Sequence, residues 1–160
     1  MLGWVDSSVH LQFKKYHNRE KTMTSIATAL SELGIKEWVL RGEPTSEAEF
    51  NSMFRKVTGS DSNGTGIESS DPSKFGTTWK AVSDKKAALI AAAPMAELRK
   101  QRNAKLAETD YLALSDVTLS SDMKTYRQAL RDLPAHANGK DAAFDSDGRT
   151  LKNVTWPTKP

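Results

Sequence analysis

Apolar residues recur at helical spacing most clearly between Ser120 and Pro134. Met123, Tyr126, Leu130 and Leu133 follow one another at steps of three, four and three, which marks one face of a helix. Ser120, Ser121 and Asp122 offer N-cap oxygens ahead of it, and Pro134 closes it by excluding helical geometry from the residue before. The predicted helix is 122–133. Upstream, the row Met95, Leu98, Arg102, Leu106 predicts a second helix over 95–107. One member of that row is an arginine. A buried guanidinium needs a partner, and losing one is far costlier than never having had it. Asp110, Asp116 and Asp132 lie nearby, and the sequence points to Arg102 with Asp110 as a structural ion pair. Tyr111, Leu112 and Leu114 are expected to fold back on this helix pair.

Earlier in the chain the pattern is more mixed. Thr24 or Ser25 can cap a helix over 25–33, with Ile26, Leu30 and Leu33 on one face and Gly34 ending it. The run around Trp38-Val39-Leu40, bounded by Gly42 and Pro44, predicts a strand over 35–41. Ser46 and Glu49 stand at capping-box spacing, each able to satisfy the other's backbone N–H. Phe50, Met53, Phe54 and Val57 then predict a helix over 46–57, closed by Gly59. A further short strand is expected over 65–68. The order strand, helix, strand suits a βαβ unit or, more cautiously, a two-stranded sheet on helices. Thr77 or Thr78 starts a helix over 78–92, and Pro94 either ends it or kinks one longer helix. After Pro134 a polar loop leads to an extended tail carrying Trp156 and Pro157, and the tryptophan is expected to pack back on its own domain. The fold class is therefore α+β, mostly α-helical.

The chain has 160 residues, enough for one domain or two very small ones. The predicted division is an extension at 1–22, a small α/β domain at 23–76, a connecting helix at 77–94 and a C-terminal domain at 95–160. The first 22 residues show no reliable periodicity, and an ordinary-looking protein start follows at Met23. They read as an upstream extension or a start-site artefact, or else as an arm that orders on a partner.

Charge changes this picture little. The net charge is +3, but residues 1–22 carry +2 of it. The other 138 residues share only +1, and Glu97, Glu108 and Asp110 offset the cations around Arg99. A nucleic-acid binder shows a concentrated basic face, so no nucleic-acid partner is expected. No run is long enough to span a bilayer. One basic row does stand out: Lys124, Arg127 and Arg131, on another side of the 122–133 helix. It is either a solvated face or a docking surface for an acidic partner.

The residue types needed for chemistry do not converge. Cysteine is absent, which removes thiolate ligands and nucleophiles. There is no phosphate-binding glycine loop and no nucleophile elbow. Asp61-Ser62-Asn63-Gly64 and Asp145-Ser146-Asp147-Gly148 look like pieces of calcium loops, but the first-ligand places hold Gly59 and Ala143 and the closing glutamate is missing. His10, His17 and His136 share no spacing. Neither metal nor cofactor is expected. Catalysis would require carboxylates such as Asp110 and Asp116 with shifted pKa in a cleft.

Three elements in order then carry a family resemblance. They are R-x-x-R-N-x-x-L-x-x-T-D-aromatic at 99–111, Y-R-Q-A-L-R-D-L-P at 126–134 and W-P-T-K-P at 156–160. Together they resemble the tail assembly chaperone family of tailed bacteriophages, over about 95–160. Tyr111 departs from the family's usual tryptophan but keeps a large aromatic with a polar tip. Residues 23–75 also look like proteins of phages of marine cyanobacteria. The resemblance implies a non-enzymatic protein that binds phage tail or tail-fibre proteins during assembly, in the host cytoplasm during infection. The alternative is a structural protein of the tail, baseplate or fibre that stays in the virion. The candidate partner-binding residues are Tyr111, Lys124, Arg127, Arg131 and Trp156.

Overall fold

A computed structural model describes residues 24–114 and 118–160. The predicted extension at 1–22 and Asp116 lie outside them. Ser25 caps α1 (Ile26–Glu32), its Oγ accepting from Thr28 N–H at 3.1 Å. The helix buries Ile26, Ala29 and Leu30 and gives way at Gly34, whose φ of 74° is the left-handed value glycine adopts cheaply. Strand β1 (Trp38–Leu40) follows, and the Trp38 indole donates to the Ile35 carbonyl at 3.0 Å.

The capping box forms in altered form. Ser46 Oγ accepts from Glu49 N–H at 3.2 Å, but the Glu49 carboxylate reaches past Ser46 to the Thr45 N–H at 2.7 Å and the Thr45 hydroxyl at 2.9 Å. The helix it starts, α2 (Glu47–Met53), is shorter than the predicted 46–57. At Phe54 the chain turns extended and becomes β2 (Phe54–Ser60). Helical spacing and burial alone read Phe50, Phe54 and Val57 as one helix face. Two flanking strands override that reading, because they satisfy the backbone of a β-prone run on both sides. β2 pairs antiparallel with β1 (Leu40 opposite Phe54) and with β3 (Gly66–Ser69), with a bulge between Val57 and Gly59. The βαβ expectation is thereby corrected: the sheet is three-stranded, antiparallel and ordered β1-β2-β3.

A 3-10 turn at Pro72–Lys74, capped by Asp71, delivers Phe75 into the core. The core comprises Ile26, Ala29, Leu30, Phe50, Phe54, Phe75 and Val82, with Ile35, Trp38, Leu40 and Trp79 packed on it. Its centre is aromatic. Phe50 and Phe54 stack at 4.9 Å between centroids, and Phe75 meets Phe54 edge-on at 4.7 Å.

Thr78 caps α3 (Trp79–Ala107), which runs for 29 residues straight through Pro94. The predicted helices at 78–92 and 95–107 are one. Proline removes a single hydrogen bond there, while Ala91–Ala93 before it and Met95–Leu98 after it favour the helix strongly, and both ends are anchored. At the first end Lys86 binds Glu43 at 2.7 Å, and the same Glu43 oxygen takes the Ile26 N–H at 2.9 Å. Between Val82 and Leu98 no residue of α3 is buried. Among the described residues no helix is long and apolar enough to cross a membrane.

Beyond α3 a 3-10 turn (Asp110–Ala113) leads toward α4 (Ser121–Asp132). Leu98 on α3 and Tyr126, Leu130 and Leu133 after it are buried, as the helical periodicity predicts. The region read as a polar loop contains a hairpin, β4 (Ala143–Phe144) with β5 (Leu151–Lys152), packed on α3. Its strands are too short for periodicity to register. Gly139, in the turn after α4, is fixed by close approach, since a Cβ there would lie 2.4 Å from the Leu133 carbonyl oxygen.

Candidate partner-binding site

Ser120 caps α4, accepting from Met123 N–H at 3.2 Å. The helix lays its apolar face on α3 and turns its remaining circumference outward. The three cations of the basic row are not equivalent on it. By helical geometry Arg127 stands about 40° beyond the apolar stripe, and Arg131 and Lys124 about 80–100°. Arg127 is accordingly 7% exposed, whereas Lys124 and Arg131 are exposed. Arg127 is therefore packed against the helix pair rather than placed on the solvated side of the row.

Arg127 instead clamps the end of α3. One guanidinium nitrogen donates to the Leu106 carbonyl at 3.0 Å and to the buried Thr109 hydroxyl, and the other meets Asp110 Oδ1 at 2.8 Å. Thr109 in turn donates to the same Leu106 carbonyl at 2.9 Å. A helix C-terminus exposes carbonyls without intrahelical partners and carries partial negative charge, so a cation fits there on both counts. The ion pair itself is lopsided, because the Asp110 side chain is 64% exposed.

Asp110 is therefore taken by Arg127 and not by Arg102. Arg102 is half-buried; its guanidinium donates to Asn103 Oδ1 at 3.0 Å and to the Arg131 carbonyl at 3.3 Å, near the end of α4. Each helix end is thus met by an arginine from the other helix. The wheel angle of Arg127 is the sequence signal that would have exposed the swap. With Thr109 buried and Asp110 held, the following turn faces outward. Tyr111 is 61% and Leu114 59% exposed, and neither folds into the small core as expected; Leu112 is half-buried.

The tail returns along α3 and α4. Thr155 N–H donates to the Asn138 carbonyl at 2.8 Å, Lys105 stands 5.3 Å over the Trp156 ring, and Lys159 meets Glu108 at 3.7 Å. The ring and its cation attract through the ring's quadrupole. A groove of about 580 Å³ remains between Thr125, Gln128, Ala129 and Asp132 on α4 and Thr155–Thr158 of the tail, with Trp156 and Pro157 in its wall. A second cleft of about 420 Å³ lies on the other side of α4, lined by Leu119, Lys124, Thr125, Arg127, Gln128 and Arg131. Thr125 and Gln128 border both. Lys124, Arg131 and Trp156 therefore flank one helical ridge, while Tyr111 borders neither groove.

Among the described residues Asp147 has the most strongly shifted carboxylate. The Thr150 hydroxyl, the Thr150 N–H and the Arg149 N–H all donate to its carboxylate and hold its pKa at about 2. These bonds close the β4–β5 turn. Among the described residues no group of acids and histidines could hold a metal ion.

The pair of helices and the tail strapped over them lie largely within a segment that is similar to a known family. Residues 95–160 match the family model described as phage tail assembly chaperone protein. The resemblance of that segment is therefore shown, and it supports a role for the chain in phage tail assembly. The match begins beside Pro94, inside α3. No curated protein and no solved structure matches the chain. The likeness of residues 23–75 to proteins of cyanobacterial phages has no counterpart among these findings.

Proposed function

We propose that this chain is a non-enzymatic tail assembly chaperone that holds a tail or tail-fibre protein in the host cytoplasm until it is incorporated. The observation that carries this reading is the family segment itself, with α4 presented outward between two grooves. A polymerising tail protein exposes apolar surface and strand edges before it meets its neighbours, and a small domain with grooves can cover them transiently. Lys124, Arg131 and Trp156 make the contact, while Tyr111 stands exposed outside both grooves. Arg127 contributes by holding α4 in place. The division at 95 has a physical rationale: the residues that build the face all follow Pro94.

Mass spectrometry of purified particles beside infected-cell lysate tests the reading. The expected result is a protein abundant in lysate and missing from particles, with a tail protein captured on it from lysate. A fixed copy number in particles would overturn it in favour of a structural component of the tail, baseplate or fibre.

A further inference from the structure

The cleft at Lys124 and Arg131 is lined by charge of one sign. Three cations line it and no carboxylate does. Arg127 at its back is committed to Leu106, Thr109 and Asp110. Among the described residues neither Lys124 nor Arg131 has an acidic partner, whereas Lys80, Lys85, Lys86, Lys100 and Lys159 do. Seven residues of helix separate Lys124 from Arg131, about 10 Å along the axis. Leu119 adds an apolar contact at one edge.

We propose that this cleft takes an acidic segment of a protein partner, with two carboxylates about 10 Å apart, two helical turns, that reach Lys124 and Arg131. The inference rests on the tail-assembly reading and adds the chemistry of the client. Phosphates would satisfy the same two cations. A nucleic-acid backbone, however, needs a continuous basic track, and here Asp122 and Asp132 stand at the two ends of α4. A short acidic segment fits between them.

The test is fluorescence anisotropy on the whole chain with a labelled helix-forming peptide bearing glutamates seven residues apart. The same peptide with glutamine and a single-stranded oligonucleotide serve as comparisons. The glutamate peptide is expected to bind at low salt and to weaken about tenfold or more when glutamine replaces glutamate or when Lys124→Glu and Arg131→Glu are combined. Both side chains are exposed, so far-UV circular dichroism should be unchanged in that variant. Equal binding by the variant, equal binding of the glutamine peptide, or tighter binding of the oligonucleotide would overturn the proposal. Capture of the tail client separates the two readings. If the double variant still captures it, the cleft is not its site and the assembly role stands. If the unaltered chain captures no tail protein yet binds the acidic peptide as described, the cleft stands and the assembly role falls.

Discussion

The two ends of α3 are held by different physics. At the first, four buried aliphatic side chains and two tryptophans pack around three clustered phenylalanines. At the second, Leu98, Tyr126, Leu130 and Leu133 are joined in the interior by Thr109 and Arg127. Apolar burial is non-directional and scales with area. A guanidinium with three acceptors works only in one orientation. The first end can therefore tolerate small shifts, while the second is tied to a specific placement of α4 against α3. A docking face benefits from the second arrangement, since its grooves keep their shape only if α4 does.

The comparison is broken most severely by Phe54→Ala. That ring touches Phe50, Phe75 and Trp38, and its loss is expected to cost about 3–5 kcal/mol in urea unfolding. A cost under about 1 kcal/mol would mean that the aromatic cluster is not what holds the first end. Next comes Arg127→Ala, with an expected loss of about 2–4 kcal/mol, because the buried Thr109 oxygen loses its donor and α4 loses its tie to the end of α3. Asp110→Asn should cost under about 1 kcal/mol, as that carboxylate is mostly in water. Equal losses in the two variants would make the clamp an ordinary ion pair and remove the contrast between the two ends.

The smallest effect concerns pH. Asp147 titrates at about 2 in the folded chain against an ordinary 3.8. A depressed folded value stabilises above the unfolded pKa and is lost as pH falls through the folded one. The β4–β5 turn should therefore keep its full contribution above pH 4 and lose it between about 4 and 2. NMR titration of the Asp147 carboxyl and the Arg149 and Thr150 amides reads this directly, and a midpoint near the ordinary value would refute it.

Much of this was written plainly in the chain. α1, α4 and both ends of α3 follow from caps and apolar spacing, and the match of residues 95–160 to the tail assembly chaperone model follows from three motifs in order. What the chain did not disclose is tertiary in origin. Phe54 sits at helical spacing from Phe50, so only the presence of β1 and β3 decides that it is a strand residue. Arg102 was expected to need an acid, and local spacing favoured Asp110, which an arginine seventeen positions on takes instead. The basic row of the cleft was legible as a helical stripe, but the approach of Leu119 from before the helix was not.

The span of α3 with no fully buried residue sets more than a distance. Sixteen residues separate Val82 from Leu98, which at 3.6 residues per turn is four full turns and about 160°. The anchor points of the two cores thus face nearly opposite sides of one axle. Its length sets an angular phase as well as a distance. Any residue gained or lost between them would swing one core about 100° around the other, so this stretch, which holds no fully buried side chain, is constrained in its count.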